Sequence, residues 1–332
     1  MSTPKKESAS NPNIRNPDIR VGISGWRYIP WRSSFYPKGL RQKDELHFAS
    51  RAVNSIEING SFYALQTPER YAEWYADTPD NFIFSVKAPR FITHIKRLRE
   101  VEIPIANFFA SGILQLKEKL GPILWQFPPT FKFEPNQFKH FLQLLPMDTL
   151  AAHKLAKSCD NNIDTPDLEK PKKRPLRHAV EIRNDSFKNE QFIELLSQFE
   201  VALVIADTAG RWPQMEDITS DFIYMRLHGD SELYRSGYSD AALEYWYKRI
   251  QKWSQGKQPG DAKLTSSHKP KSQSSRDIFC YFDNTDKLWA PYDARKILAK
   301  FDLLADLETE PGKLPQPHPA QDAISMQNQL DL

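Results

Sequence analysis

The stretch SIEINGSFYALQTPERYAEWYADTPDNFIFSVK (55–87) decides the fold. It opens on a short β-type run, SIEIN (55–59), and closes on another, FIFSVK (82–87). Between them Thr67 and Pro68 read as the N-cap and first residue of a helix that carries Tyr71, Trp74 and Tyr75. Strand, helix and strand in this order imply parallel strands joined by a crossover helix.

Working outward, the same alternation recurs. Further strand candidates are RVGISGW (20–26), PILWQF (122–127), HAVEIR (178–183), VALVIAD (201–207), FIYMRLH (222–228) and DIFCYFDN (277–284). Helical periods fill most gaps, one of them Phe109, Ile113, Leu116 and Leu120 with Gly121 as its end. Eight strands alternating with helices predict an α/β fold, a single (β/α)8 TIM-type barrel over residues 19–304. Only TAGRWPQMEDITSD separates Asp207 from Phe222, so the sixth helix is expected to be short or irregular. Two polar inserts, 147–177 with its KPKKR and 254–276 with five basic residues against one acidic, read as disordered. Each follows a helix and precedes a strand, which puts it on the N-terminal face, away from the face where barrel active sites lie. Residues 1–18 read as a disordered tail and 305–332 as a flexible, acidic one.

Composition sets outer bounds. The 332 residues are 40% hydrophobic and 26% charged with a net charge of +3, ordinary values for a globular chain that neither require nor exclude an anionic partner. The polar start lacks the apolar core of a signal peptide, and no run reaches membrane-span length. Two cysteines, Cys159 and Cys280, fit a reducing cytoplasm and offer no thiolate metal set. Absence of HExxH, paired CxxC, GxSxG and a Gly-rich loop ending in Lys-Ser/Thr argues against serine-nucleophile and nucleoside-triphosphate chemistry.

Alternation within the strands then nominates a site. If the apolar residues face the helices, Glu57, Asn59, Lys87, Gln126, Glu181, Arg183, Tyr224, Arg226 and His228 face the barrel axis. Asp207 and Asn284 end strands six and eight. Barrel interiors are normally filled by Val, Ile and Leu, and buried charge is costly unless paired. Ion pairs such as Glu57 with Lys87, or Glu181 with Arg183 or Arg226, would fill the barrel top without any chemistry. Five polar strand ends converging on one rim argue further for a ligand site. The arginines suit phosphate or carboxylate, and a metal at Glu181, Asp207 and His228 would have cationic neighbours. Aromatics crowd the same face: Trp26, Tyr28, Trp31, Phe35 and Tyr36 after strand one, Phe62 and Tyr63 after strand two, Trp212 after strand six. Thr93 and His94 follow strand three, and Tyr234 and Tyr238 follow strand seven.

The segments GISGWRYIPWRSSFYP, SIEINGSFYALQTPERYAEWYADTPDNFIFSVKAPRFITH, LGPILWQFPPTF, AVEIRNDSF, YMRLHG and YFDN, in this order, resemble the YecE-like family, a domain of unknown function, over residues 20–304. The resemblance implies a TIM-type barrel, similar in fold to endonuclease IV and the xylose-isomerase-like enzymes, and no settled activity. The three-His arrangement of a trinuclear zinc nuclease is missing. Two readings follow. In the first the protein is an enzyme for a phosphate-bearing or other anionic substrate, a nucleic-acid phosphodiester included. Glu57, Glu181, Lys87 and His228 are its candidate catalytic groups. Trp26, Tyr28, Asn59, Tyr63, His94, Gln126, Arg183, Asp207, Arg226 and Asn284 are its candidate binding groups. No cofactor is predicted beyond the divalent-metal option. In the second reading the same mouth holds nucleic acid or a metabolite without turnover.

Overall fold

The computed structural model describes residues 17–160, 170–231, 233, 236–284 and 288–312. Tyr234 and most of both tails fall outside these, as does the middle of the first insert, residues 161–169.

Strand alternation sorts side chains between two cores. Val21, Ile23, Ile56, Ile58, Val86, Trp125, Val180, Ile223, Met225 and Cys280 lie in one cluster with apolar residues of the helices. Leu124, Ala179, Val204, Tyr224, Phe279 and Tyr281 form a separate, smaller cluster inside the strands. A core made of strand residues alone, with no helix to cover it, needs the sheet to close on itself, and it does. Strands β1 (Ile19–Ser24), β2 (Ser55–Ile58), β3 (Ile83–Lys87), β4 (Leu120–Gln126), β5 (His178–Glu181), β6 (Ala202–Asp207), β7 (Phe222–Leu227) and β8 (Asp277–Phe282) pair in parallel in chain order, with β8 against β1.

The helices are α1 (Glu45–Ala52), the one-turn α2 (Gly60–Tyr63), α3 (Pro68–Asp77), α4 (Glu102–Ala110), α5 (Pro135–Leu144), α6 (Thr149–Ala156), α7 (Glu190–Gln198), α8 (Asp240–Ser254) and α9 (Ala290–Lys300). Thr67 caps α3 as its sequence predicts, accepting from the Arg70 amide at 3.4 Å. Helix α4 stops earlier than the apolar spacing suggested. Gly112, with φ of 99°, breaks it, and a tighter 3₁₀ segment (Ile113–Lys119) follows. Gly121 therefore ends no helix: it lies in the first turns of β4, where a Cβ would meet the Phe84 carbonyl oxygen at 2.9 Å.

No helix joins β6 to β7; residues 208–221 run as turns and extended chain. The insert 254–276 fills the side of the barrel this leaves, and it is ordered, contrary to its polar composition. The Glu216 amide donates to the Lys263 carbonyl at 2.8 Å, and Asp217 accepts from the amides of Thr265 and Ser266 at 2.9 and 3.0 Å. Arg276 is buried and donates to the carbonyls of Gly256 and Lys271 at 2.7 and 2.8 Å. The first insert likewise contains α6, tied down where the Thr149 amide meets the Arg174 carbonyl at 3.0 Å. Composition failed here because the partners of these polar groups come from distant chain.

Gly256 is the pin of the larger insert. Its φ is +73°, and a Cβ would sit 1.9 Å from the Gln273 carbonyl oxygen. Gly256→Val should cost about 1–3 kcal/mol in a denaturant melt. It should also open residues 257–276 to a lysine-directed protease while the barrel stays resistant. Unchanged resistance of that segment would show that Gly256 does not hold it.

Candidate functional site at the barrel mouth

Strands β1 to β5 and β7 deliver polar side chains to the C-terminal end of the barrel, and Asp283 follows β8 there. Below them, Tyr281 closes the interior with its hydroxyl 2.7 Å from both Ser55 and Ser85. Tyr224 stands next to it, ring centroids 5.4 Å apart, and donates to Glu57 Oε2 at 2.7 Å. Above this floor lies Arg226, on β7 and fully buried. Its guanidinium meets three carboxylates: Glu57 on β2 (Nη2–Oε1 2.9 Å, Nε–Oε2 3.1 Å), Glu181 on β5 (Nη1–Oε2 2.7 Å) and Asp283 after β8 (Nη2–Oδ2 2.8 Å). Ser24 on β1 accepts from Nη2 at 3.2 Å. One side chain thus ties four strands of the barrel rim together.

The carboxylates are used up by this arrangement. Ser24 Oγ donates to Glu57 Oε1 at 2.5 Å and accepts from Asn59 Nδ2 at 2.7 Å, which fixes the Asn59 amide and leaves its Oδ1 buried without a donor among the described residues. Gln126 Nε2 and Arg183 Nε both donate to Glu181 Oε1, at 2.9 and 2.8 Å. Burial alone would raise the Glu181 pKa, but Arg183, Arg226, His228 and Lys87 hold it well below the usual range. Asp283 is likewise lowered, Arg226 outweighing burial. Burial disfavours the Arg226 charge, yet Glu57, Glu181 and Asp283 raise its pKa well above the ordinary value. His228, whose Nδ1 is 3.4 Å from Asp283 Oδ2, is pushed down by burial and by Arg226 against the pull of Asp283.

Lys87 stands apart. It is almost fully buried at the end of β3, its ammonium 4.1 Å from the centroid of Phe62. No hydrogen bond or ion pair reaches Nζ from the described residues, so the expected Glu57–Lys87 pair does not form; Glu57 serves Arg226 instead. Burial lowers the Lys87 pKa to about 8; Arg226 and Arg183 add to this, and Glu181 and Glu57 oppose it. The other face of this region carries His94 in a π-helical turn (Phe91–Ile95), edge-on to Phe62 at 5.1 Å and bonded through Nδ1 to Thr93 Oγ1 at 2.8 Å. Burial, Lys87 and Arg183 hold His94 down to about 4, so it is neutral near pH 7. The Arg183 guanidinium lies over Trp212, its Cζ 3.9 Å from the ring centroid, and among the described residues only its Nε is hydrogen-bonded.

Three expectations need correction. Asp207 does not enter the mouth: the inward residues of β6 are Ala202, Val204 and Ala206, so Asp207 points at the helices and accepts from Tyr238 Oη and Trp246 Nε1 at 3.1 Å each. Asn284 also turns outward, donating to Asp293 Oδ2 at 2.8 Å. Glu181, Asp207 and His228 consequently make no metal set, and among the described residues no group of three or more His, Cys, Asp or Glu side chains could hold an ion. Arg226, expected to grip a substrate anion, is spent on protein carboxylates. Two participants went unnamed. Asp283 and Ser24 follow from the same alternation, since Phe282 and Ile23 face outward. Of the loop aromatics, Trp26 is mostly core, edge-on to Trp74 at 5.2 Å. Tyr63 is 72% exposed and with Tyr28, Arg27, Arg70 and Asn59 lines a cleft of about 310 Å³ beside the mouth.

Fold and rim define a class: a (β/α)8 barrel with an ionic cluster across its C-terminal mouth. The chain belongs to the family described as "Protein of unknown function DUF72", which it matches over residues 20–319. It is similar to the UPF0759 protein YunF of Bacillus subtilis (strain 168), 31% identical over 121 residues, 34% of this chain and 41% of that protein. It is also similar to the UPF0759 protein YecE of Escherichia coli (strain K12), 30% identical over 129 residues, 39% and 44% of the two chains. The chain thus matches less than half the length of either relative. A crystal structure of a DUF72 family protein (TM1631) from Thermotoga maritima MSB8 superposes with a TM-score of 0.65 at 21% identity, covering 86% of this chain and 99% of the other. One from Enterococcus faecalis V583 (EF0366) gives 0.59 at 17%, covering 86% and 98%. At these identities the structures speak to the fold alone. No helix among the described residues is long and apolar enough to cross a membrane.

Arg226→Met should destabilise the protein by about 3–5 kcal/mol at pH 7, because three buried carboxylates lose their shared cation. Glu181 and Asp283 are depressed in the native protein and lose that depression in the variant, so the deficit should shrink as pH falls from 7 toward 4.5. A deficit that stays constant over this range, read from urea melts, would argue against the shared-cation role. Lys87 carries the opposite sign. Its native pKa of about 8 lies below its unfolded value, so its burial opposes folding at neutral pH and ceases to above pH 10. Lys87→Met should therefore be more stable than the native protein by about 1–3 kcal/mol at pH 7, with the gain vanishing at pH 10.5.

Proposed function

We propose that the barrel mouth is the active site of an enzyme for a small anionic substrate, a carboxylate or a phosphate monoester. One observation carries this reading. The carboxylates' described partners all belong to the protein's own network, whereas the hydrogen-bonding capacity left open is donor capacity: the Lys87 ammonium and the Arg183 Nη groups. A protein that buries a lysine without an acceptor carries a folding cost, and an anion from solution is the natural complement. Arg183 is presented for bidentate contact because Glu181 and the Trp212 ring fix its plane. Asn59 Oδ1, buried and without a donor among the described residues, would accept a substrate hydroxyl. In this reading Glu57, Glu181 and Asp283 hold the arginines in place rather than move protons, and Lys87, titrating near pH 8, is the group suited to acid–base work. His94, neutral near pH 7, would accept a hydrogen bond or a proton.

The cleft with Tyr63, Arg27 and Arg70 favours a second reading, in which the mouth and cleft together hold single-stranded nucleic acid without turnover. Salt separates the two. Affinity built on several phosphates should fall steeply with ionic strength, whereas a small enclosed anion should respond weakly.

Thermal unfolding should be followed with phosphate, a sugar phosphate, short hydroxy acids and a neutral sugar. An anion at about 100 times its dissociation constant should stabilise by roughly 2.7 kcal/mol. The effect should disappear in Lys87→Met and Arg183→Met. The reading fails if no anion shifts the transition, or if the shift survives in both variants.

A further inference from the structure

We propose that Lys87 is an amine nucleophile for carbonyl substrates, condensing with the carbonyl carbon of a short oxo acid whose carboxylate is held by Arg183. This rests on the anion site described above and names its substrate class.

Among the described residues two lysines are buried, Lys87 and Lys119, and the contrast between them is informative. Lys119 Nζ donates to the carbonyls of Tyr75 and Thr78 at 2.7 Å each and lies 3.3 Å from Thr78 Oγ1, so its three protons are occupied and its lone pair is unavailable. That is a lysine used for structure. Lys87 is also buried, has the Phe62 ring beside it at 4.1 Å, and has no acceptor from the described residues. Its backbone is nevertheless held: Ser61 Oγ donates to its carbonyl at 2.7 Å and the next amide, Ala88, donates to Leu124 at 2.8 Å. A fixed stem with an unquenched amine is what nucleophilic lysines require.

The surroundings supply the rest. The charged groups facing the amine are Arg226, Glu181, Glu57, Arg183, His94 and Asp283. The carboxylates among them already serve Arg226 or Arg183, so none is free to capture the ammonium. Net burial and the cations bring the amine to about 8, so at pH 7.5 its neutral fraction is on the order of a hundred times that of a surface lysine. Strand β5 lies two strands from β3, about 10 Å across the sheet, a span that Lys87 and Arg183 bridge with a compact ligand between their tips.

The chemistry balances without a redox partner. The nitrogen lone pair forms a bond to the carbonyl carbon while the π pair moves to oxygen, which is protonated. The carbinolamine then expels that oxygen as water, carrying both former amine protons. A further proton from solvent leaves the nitrogen as a cationic iminium, an electron sink for cleavage or proton loss at the neighbouring carbon.

The full-length chain would be incubated with glyoxylate, pyruvate or the uncharged propanal, each with cyanoborohydride, and the modified peptides mapped by mass spectrometry. The expected result is a single reduced adduct at Lys87, formed roughly tenfold or more faster than at surface lysines, with a rate that rises to a plateau near pH 8. Lys87→Arg should abolish it. Arg183→Met should slow trapping of the oxo acids at least about tenfold more than it slows trapping of propanal. Labelling of Lys87 no faster than of surface lysines, by every carbonyl compound, overturns the proposal. If phosphate or a hydroxy acid still raises the unfolding temperature in that case, the anion site stands and only the amine chemistry falls. If neither effect is seen, both fall.

Discussion

One guanidinium holds the mouth of this barrel together. Arg226 accepts no competitor: Glu57, Glu181, Asp283 and Ser24 approach it from strands β2, β5, β8 and β1, and each carboxylate is in turn oriented by a further neighbour. A buried ion of this kind is expensive to desolvate, and only complete pairing makes it tolerable. Everything at the rim follows from that need. Tyr224 and Ser24 are there to satisfy Glu57, Gln126 and Arg183 to satisfy Glu181. The unmatched amine of Lys87 is informative because it sits beside a network in which so little else is unmatched.

The strand pattern carried most of this. Period-two alternation places Glu57, Lys87, Gln126, Glu181 and Arg226 inside the barrel because the outward residues of the same strands are large and apolar, and one slip of register would bury charge against the helices. The same rule, applied strictly, excludes Asp207 and Asn284 and selects Asp283. Those two residues mislead because they stand at strand ends, where position along the chain suggests the rim and parity decides otherwise. What alternation cannot do is pair the charges. Lys87 and Arg226 are both inward cations facing Glu57, and only three-dimensional reach gives that carboxylate to the arginine on β7.

The inserts were illegible for a different reason. Residues 254–276 are polar enough to pass for solvated chain, yet they replace the helix missing between β6 and β7, using Arg276, Gln258 and backbone amides as the bonding groups. Sequence composition registers hydrophobic burial and overlooks burial by hydrogen bonding to distant backbone. Among the described residues the bonds of 254–276 run along the flank of the barrel, to Glu190, Glu216 and Asp217, and none reaches the ionic cluster, so the stabilising elaboration lies beside the barrel and the polar cluster at its mouth.

The claim on which the functional account turns is that Lys87 is a buried, unquenched amine open to a ligand at the mouth. Lysine ε-methylene chemical shifts, followed by NMR from pH 6 to 11 with and without a bound carboxylate or phosphate, test it directly. One lysine should titrate near 8, be missing from the spectrum of Lys87→Met, and rise in pKa when the anion binds. A set of lysines that all titrate above pH 10, or a low-pKa lysine indifferent to every anion, would contradict it.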